Sequence, residues 1–138
     1  GGGIYTSAAE AAAKVGGKLI GVDVDQSANI NTYGEGMCVT SAMKGLAETV
    51  KHMLSEVVAG NFANYGGKIE TLGLVNGDDP TANYVQLPME TTQWGDGFTQ
   101  DDYKALVKAM YDGEVTVSND ISAMPATTIT VNFAGNIK

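Results

Sequence analysis

The chain is short of the residues that most often build chemistry. It has one cysteine, Cys38, and one histidine, His52, in 138 residues. Cys38 therefore has no intrachain disulfide partner. Cys38 and His52 together do not make a zinc site unless carboxylates help. Basic residues are also scarce: 8 Lys and Arg stand against 16 Asp and Glu, a formal charge of −8. That excludes sequence-independent nucleic-acid binding, which needs clustered cations to displace counterions. It also leaves no polybasic patch for anionic lipid. No apolar run approaches the roughly 18 residues of a membrane span. No signal-peptide pattern opens the chain, which begins "GGG" without methionine and is expected to be a mature product or a fragment of a longer protein. The motifs GxSxG, HExxH, CxxC, GxGxxG and GxxxxGK[ST] are all missing.

What is present suits one domain with a core. Hydrophobic residues make up 43% of the chain, ordinary for a globular protein. "YTSAAEAAAKV" (5–15) is rich in helix formers, and Gly16 and Gly17 stop it. "LIGV" (19–22) is too short for a helix and reads as a strand. Residues 26–36 are turn-rich. From 40 to 59, apolar residues at Met43, Leu46, Ala47, Val50, Met53, Leu54 and Val57 keep helical spacing, which predicts a helix with one buried face. Thr40 and Ser41 are its expected caps and Gly60 its stop. Gly45 inside that helix would cost about 1 kcal/mol against alanine, so a close packing contact is expected there.

Further on, "KIETLGLV" (68–75) reads as a strand entering the turn "NGDDP", and "YVQLPM" (84–89) as extended up to Pro88. "TQDDYKALVKAMYDG" predicts a helix with a capping box at Thr99 and Asp102. Its buried stripe would be Tyr103, Leu106, Val107, Met110 and Tyr111. "EVTV" (114–117) and the alternating "TTITVNF" (127–133) read as strands. Helices interleaved with short apolar strands define an α/β class. In such sheets ligands bind beyond the carboxyl ends of the strands.

Asp23 lies at such an end, with Asp25 two residues on. A strand-end carboxylate suits a sugar's vicinal hydroxyls. The alternatives are a metal site or a solvated turn in which Asp25 caps the chain. Lys44, expected in the first turn of the 40–59 helix, would face the positive end of the dipole at a cost of about 0.3–1 kcal/mol. Glu48, a carboxylate such as Asp23, or a ligand acceptor would offset this; a solvated lysine is the bland alternative. The glycines at 1–3 precede a helix, where bare N–H groups can hold a polar ligand oxygen, or form a flexible terminus. His52 has no acid or nucleophile placed for it, and Cys38 reads as a small buried residue rather than a reactive thiol.

"KLIGVDVDQS", "CVTSAMKGLAETVKHMLSEVVAGNF", "LGLVNGD" and "YKALVKAMYDGEVTV", in this order, resemble the carboxy-terminal part of the basic membrane protein family. These are substrate-binding lipoproteins of ABC transporters that include purine nucleoside receptors. The resemblance runs from Gly2 to about Val117. It implies the carboxy-terminal part of a two-lobed, type I periplasmic-binding-protein fold, with residues 1–138 contributing to both lobes and no independent second domain. It implies a binding protein rather than an enzyme, working outside the cytoplasm as a cell-surface lipoprotein or in the periplasm. Its partners would be a nucleoside between the lobes, a membrane permease and the missing amino-terminal portion, without cofactor or metal. By this resemblance Asp23 binds ribose hydroxyls, Lys44 faces the ligand, and Gly2 and Gly3 line the cleft. The chain departs from the family in carrying Ile4, Tyr5 and Ser7 where further glycines are usual. The alternatives are a sugar or signalling-molecule receptor, or a nucleoside-processing α/β enzyme.

Overall fold

Why the amino-terminal half folds as it does can be read from its glycines and small polar residues. A computed structural model describes residues 2–131 and 135. A 3₁₀ turn at Gly2–Ile4 leads into helix α1, Tyr5–Ala13. The helix ends where Gly16 takes a positive φ of 65° and the Gly17 amide bonds back to the Ala12 carbonyl at 2.8 Å, an economical way to satisfy a helix's last carbonyls. Strand β1, Leu19–Asp23, follows, then the short helix α2, Ser27–Ile30, and strand β2, Cys38–Lys44. β1 and β2 are parallel, with Gly21 opposite Ser41 and Asp23 opposite Met43. A Cβ on Gly21 would run into Ser41 Oγ and the Gln26 side chain, so only glycine fits between them. Ala9, Ile30, Met37 and Cys38 form the buried core, with Tyr5, Ala12, Leu19 and Tyr33 packed on it.

Helix α3, Leu46–Val58, starts later than the 40–59 spacing predicts. Residues 40–44 belong to β2 instead, so Met43 is a strand residue and Thr40 and Ser41 cap nothing. Gly45 is the N-cap. Its expected close contact is real and explains the break: a Cβ there would meet the Asn83 carbonyl and sit 2.9 Å from Tyr84 Cα. Gly60, at φ 78°, follows the helix end. The predicted buried face of α3 is not buried. Leu46, Val50, Leu54 and Val57 are each about half exposed and no residue of the helix is fully buried. Of this helix, His52 is the part gripped by the fold, edge-on to the rings of Tyr65 and Tyr84 at 5.7 and 6.2 Å.

Beyond 3₁₀ turns at Phe62–Asn64 and Pro80–Ala82 comes strand β3, Val85–Gln86, antiparallel to β2. The predicted strand at 68–75 does not form. Its last amide, together with that of Asn76, is drawn to a side chain: Asn83, fully buried, accepts from Val75 and Asn76 N–H at 2.7 and 2.8 Å. Helix α4, Gln100–Tyr111, carries the full capping box between Thr99 and Asp102. Val107 is buried, whereas Leu106 and Tyr111 are exposed. The strand expected at 114–117 is absent because the amides of Glu114 and Val115 bond back to the Ala109 carbonyl and finish the helix. Residues 127–131 form no strand either, and positions 132 and 133 of "TTITVNF" lie outside the described residues. The result is a mixed α/β chain with a three-stranded sheet in the order β1-β2-β3.

Candidate functional site

The two parallel strands end together, and each ends in a charge. Asp23 closes β1 and Lys44 closes β2, and their register brings Lys44 Nζ to 2.7 Å from Asp23 Oδ1. The sequence placed Lys44 in the first turn of a helix, opposed by its dipole. It lies instead at a strand's carboxyl end, ahead of α3, and its counter-charge is Asp23. Of the partners weighed for it, Glu48 is taken by Lys51.

Asp23 is conformationally unusual. Its φ is 73°, the one non-glycine positive φ among the described residues. The Val24 amide bonds back to the Val22 carbonyl at 2.9 Å, so Asp23 is the centre of a three-residue γ-type turn, a rare and strained connection. Aspartate is one of the few side chains that tolerates this region. The Gln26 side chain supports the turn by accepting from the Val22 amide at 2.9 Å, while its own amide donates to Ser41 Oγ. The Lys44 ammonium, hydrogen-bonded to Asp23 and adding its charge, holds the Asp23 carboxyl below the usual carboxylate range. Asp23 Oδ2 has no partner among the described residues.

Asp25 has a different task. Oδ1 accepts from the Ser27 amide at 2.9 Å, starting α2, and Oδ2 accepts from the Thr91 hydroxyl at 2.8 Å. Burial raises its pKa, but these donors outweigh burial and the net direction is down. The second aspartate of "GVDVDQ" is therefore a capping and tethering residue, and the two carboxylates do not form a shared site. Among the described residues, no group of three or more His, Cys, Asp or Glu is placed to hold a metal. Cys38 is buried in the core, its thiol on the Thr40 carbonyl.

A cavity of about 410 Å³ opens beside the ion pair, between the ends of the sheet and α4. Met43, Leu74, Leu87, Tyr103, Val107 and Met110 wall it, and Asp23 and Lys44 stand at its mouth. The volume is within the range of small-molecule sites. Gly2 and Gly3 are not among its lining residues, and space around Gly3 is open. The sequence reading thus named the two charged groups that the fold brings together. It missed the walls. Tyr103, Val107 and Met110 were visible as a helical stripe, but periodicity alone does not distinguish a stripe facing a core from one facing a cavity.

The fold and site define a mixed α/β chain with a strand-end ion pair over an apolar cavity. Comparison with protein-family models, with curated proteins and with solved structures finds no match. No helix among the described residues is long and apolar enough to cross a membrane.

Proposed function

We propose that this chain is the carboxy-terminal part of a two-lobed, type I periplasmic-binding-protein-like receptor of the basic membrane protein kind. It binds a nucleoside and delivers it to an ABC permease, working outside the cytoplasm at a cell surface or in a periplasm. The observation that carries the reading is the Asp23–Lys44 pair, held at 2.7 Å at the carboxyl ends of adjacent parallel strands. This is where α/β sheets hold ligands. An acceptor and a donor side by side match the vicinal hydroxyls of a ribose. Asp23 accepts from them and Lys44 donates to an oxygen or ring nitrogen. The strained turn at Asp23 adds support, because such backbone persists where function demands a fixed direction. In this reading Gly2 and Gly3 serve the cleft between the lobes, outside the cavity beside the ion pair.

The surface supports the rest of the proposal. The chain exposes 9984 Å², against about 6,800 Å² for a compact monomer of its mass. The apolar face of α3 and the outward side of β1, Ile20 and Val22, account for part of the excess. These faces suit contact with a further portion of polypeptide that completes the lobes, which would then close on ligand by a hinge.

Native mass spectrometry of the chain with a nucleoside mixture, followed by calorimetry, tests the reading. A retained nucleoside, with affinity reduced roughly tenfold or more by Asp23→Ala, is the expected result. Unchanged affinity in that variant overturns the role of Asp23. Displacement by free ribose with equal affinity would identify a sugar receptor instead.

A further inference from the structure

Asn76 is the one asparagine of the chain that glycine follows, and the fold demands both residues. Asn76 Oδ1 accepts from the Asp78 and Asp79 amides at 2.8 and 2.9 Å and shapes the turn, a use to which asparagine is well suited. Gly77 lies against Tyr111. A Cβ there would sit 2.8 Å from the ring's Cδ1, so a side chain is excluded unless the ring moves. This pair is also the one most open to cyclisation. Asparagine is thermolabile, and a following glycine has no Cβ to keep its backbone nitrogen away from the asparagine Cγ.

Asn83 closes the same turn from the other side. Its buried amide accepts from the Asn76 N–H at 2.8 Å and donates to the Asn76 carbonyl at 2.9 Å. Asn76 thus has its N–H, its C=O and its side-chain oxygen all held. Cyclisation needs rotation about χ1 and ψ of Asn76, and these bonds fix both torsions.

We infer that Asn76–Gly77 is a latent self-modification site, deamidating through a succinimide when the turn opens and kept closed in the native chain by the Asn83 clamp. The Gly77 backbone nitrogen gives its proton to solvent base and attacks Asn76 Cγ. A C–N bond forms, the Cγ–Nδ2 bond breaks, and the nitrogen leaves as ammonia with a proton from water. Water then opens the ring at either carbonyl, leaving aspartate or isoaspartate at position 76. One water is consumed, one ammonia is released, and nothing is oxidised or reduced. The two products differ in the fold. Aspartate keeps the acceptor for the Asp78 and Asp79 amides. Isoaspartate adds a methylene to the backbone, so the Asn83 amide cannot hold both the N–H and the C=O of that residue. The Asn83 carbonyl packs on Gly45, and Val85, two residues on, pairs with Lys44. The damage therefore reaches the end of β2.

The test is incubation of the 138-residue chain at mildly alkaline pH, native and in guanidinium chloride, followed by intact mass and peptide mapping. Mapping is needed because Asp96 and Asp112 also precede glycine and isomerise without a change in mass. Position 76 should be the principal site of deamidation in the unfolded chain, and should react roughly tenfold or more slowly in the native one. Asn83→Ala, shown by circular dichroism to be folded, should lose most of that protection. Hydrogen exchange of the wild-type chain decides the matter if that variant does not fold. Across sub-denaturing guanidinium, deamidation at 76 should accelerate in step with exchange of the Val75 and Asn76 amides, both of which Asn83 holds. Equal or faster deamidation in the native chain overturns the inference, since the Asp78 and Asp79 amides would then be assisting attack rather than restraining it. Full protection in a folded Asn83→Ala chain, or a rate that does not follow amide exchange, overturns the role of the clamp.

Discussion

Asp23 holds two roles that pull against each other. Its carboxylate meets Lys44, and its backbone stays at φ 73°, where a side chain with a Cβ is strained. Glycine carries no such strain. Asp23→Gly should therefore keep or raise the melting temperature while weakening nucleoside binding roughly tenfold or more, whereas Asp23→Val, β-branched, should lower it. Thermal denaturation of both variants, with calorimetry of the glycine variant, checks this. A fall in melting temperature for Asp23→Gly larger than that for Asp23→Val would show that the ion pair outweighs the backbone strain. Asp23 and Lys44 were both legible in the sequence, Asp23 because a carboxylate ending an apolar run is conspicuous. Lys44 drew notice for a reason the fold replaces: a helix dipole that it does not feel. Asn83 was not legible at all. In "PTANY" it reads as one more turn residue, yet it is fully buried and organises the 75–79 turn through both ends of its amide.

At the scale of elements, α4 is the helix most fully written in its own residues. Thr99 Oγ accepts from the Asp102 amide at 3.2 Å, and Asp102 accepts from the Thr99 amide at 2.8 Å. Thr99→Ala should cost about 1 kcal/mol of stability, read by urea denaturation. The cap is also titratable. Hydrogen bonds from Thr99 hold the Asp102 carboxyl below the usual carboxylate range. A depressed folded pKa contributes stability above the unfolded value, near 3.9, and loses it as pH falls through the lower folded value. Helix content of the wild-type chain should thus decline on acidification below about pH 4, and the Thr99→Ala chain, with the cap already weakened, should decline less steeply. α3 and the missing strands teach the converse. The pattern from Met43 to Val57 fits helical spacing throughout, so nothing local marks the change from strand to helix. Gly45 marks it, but only because Asn83 and Tyr84 arrive there from elsewhere in the chain. The stretches 68–75 and 114–117 have strand-like composition. What they lack is a neighbour to pair with, and pairing is not a local property.

At the scale of the whole molecule, the fully buried hydrophobics among the described residues are Ala9, Ile30, Met37, Cys38 and Val107. All but Val107 belong to one small core beneath α1 and β2. Against it stands the open face of α3, where Val50 and Leu54 are 57% and 60% exposed. Exposed apolar surface of this extent marks an interaction face or an association liability. Val50→Lys with Leu54→Lys distinguishes a face that is open from one that the chain itself covers. If it is open, the double variant should unfold within about 0.5 kcal/mol of wild type. It should also bind less of a hydrophobic dye and sediment more nearly as a monomer at high concentration. Sedimentation velocity and dye fluorescence, run beside urea denaturation, read all three. A loss of several kcal/mol would mean that α3 packs its stripe inward in solution. The contact surface assigned to a further portion of polypeptide would then lose its main support. Retained stability with reduced association would place that contact on α3, and co-expression of the double variant with a candidate amino-terminal portion should then fail to yield a complex that the wild-type chain forms.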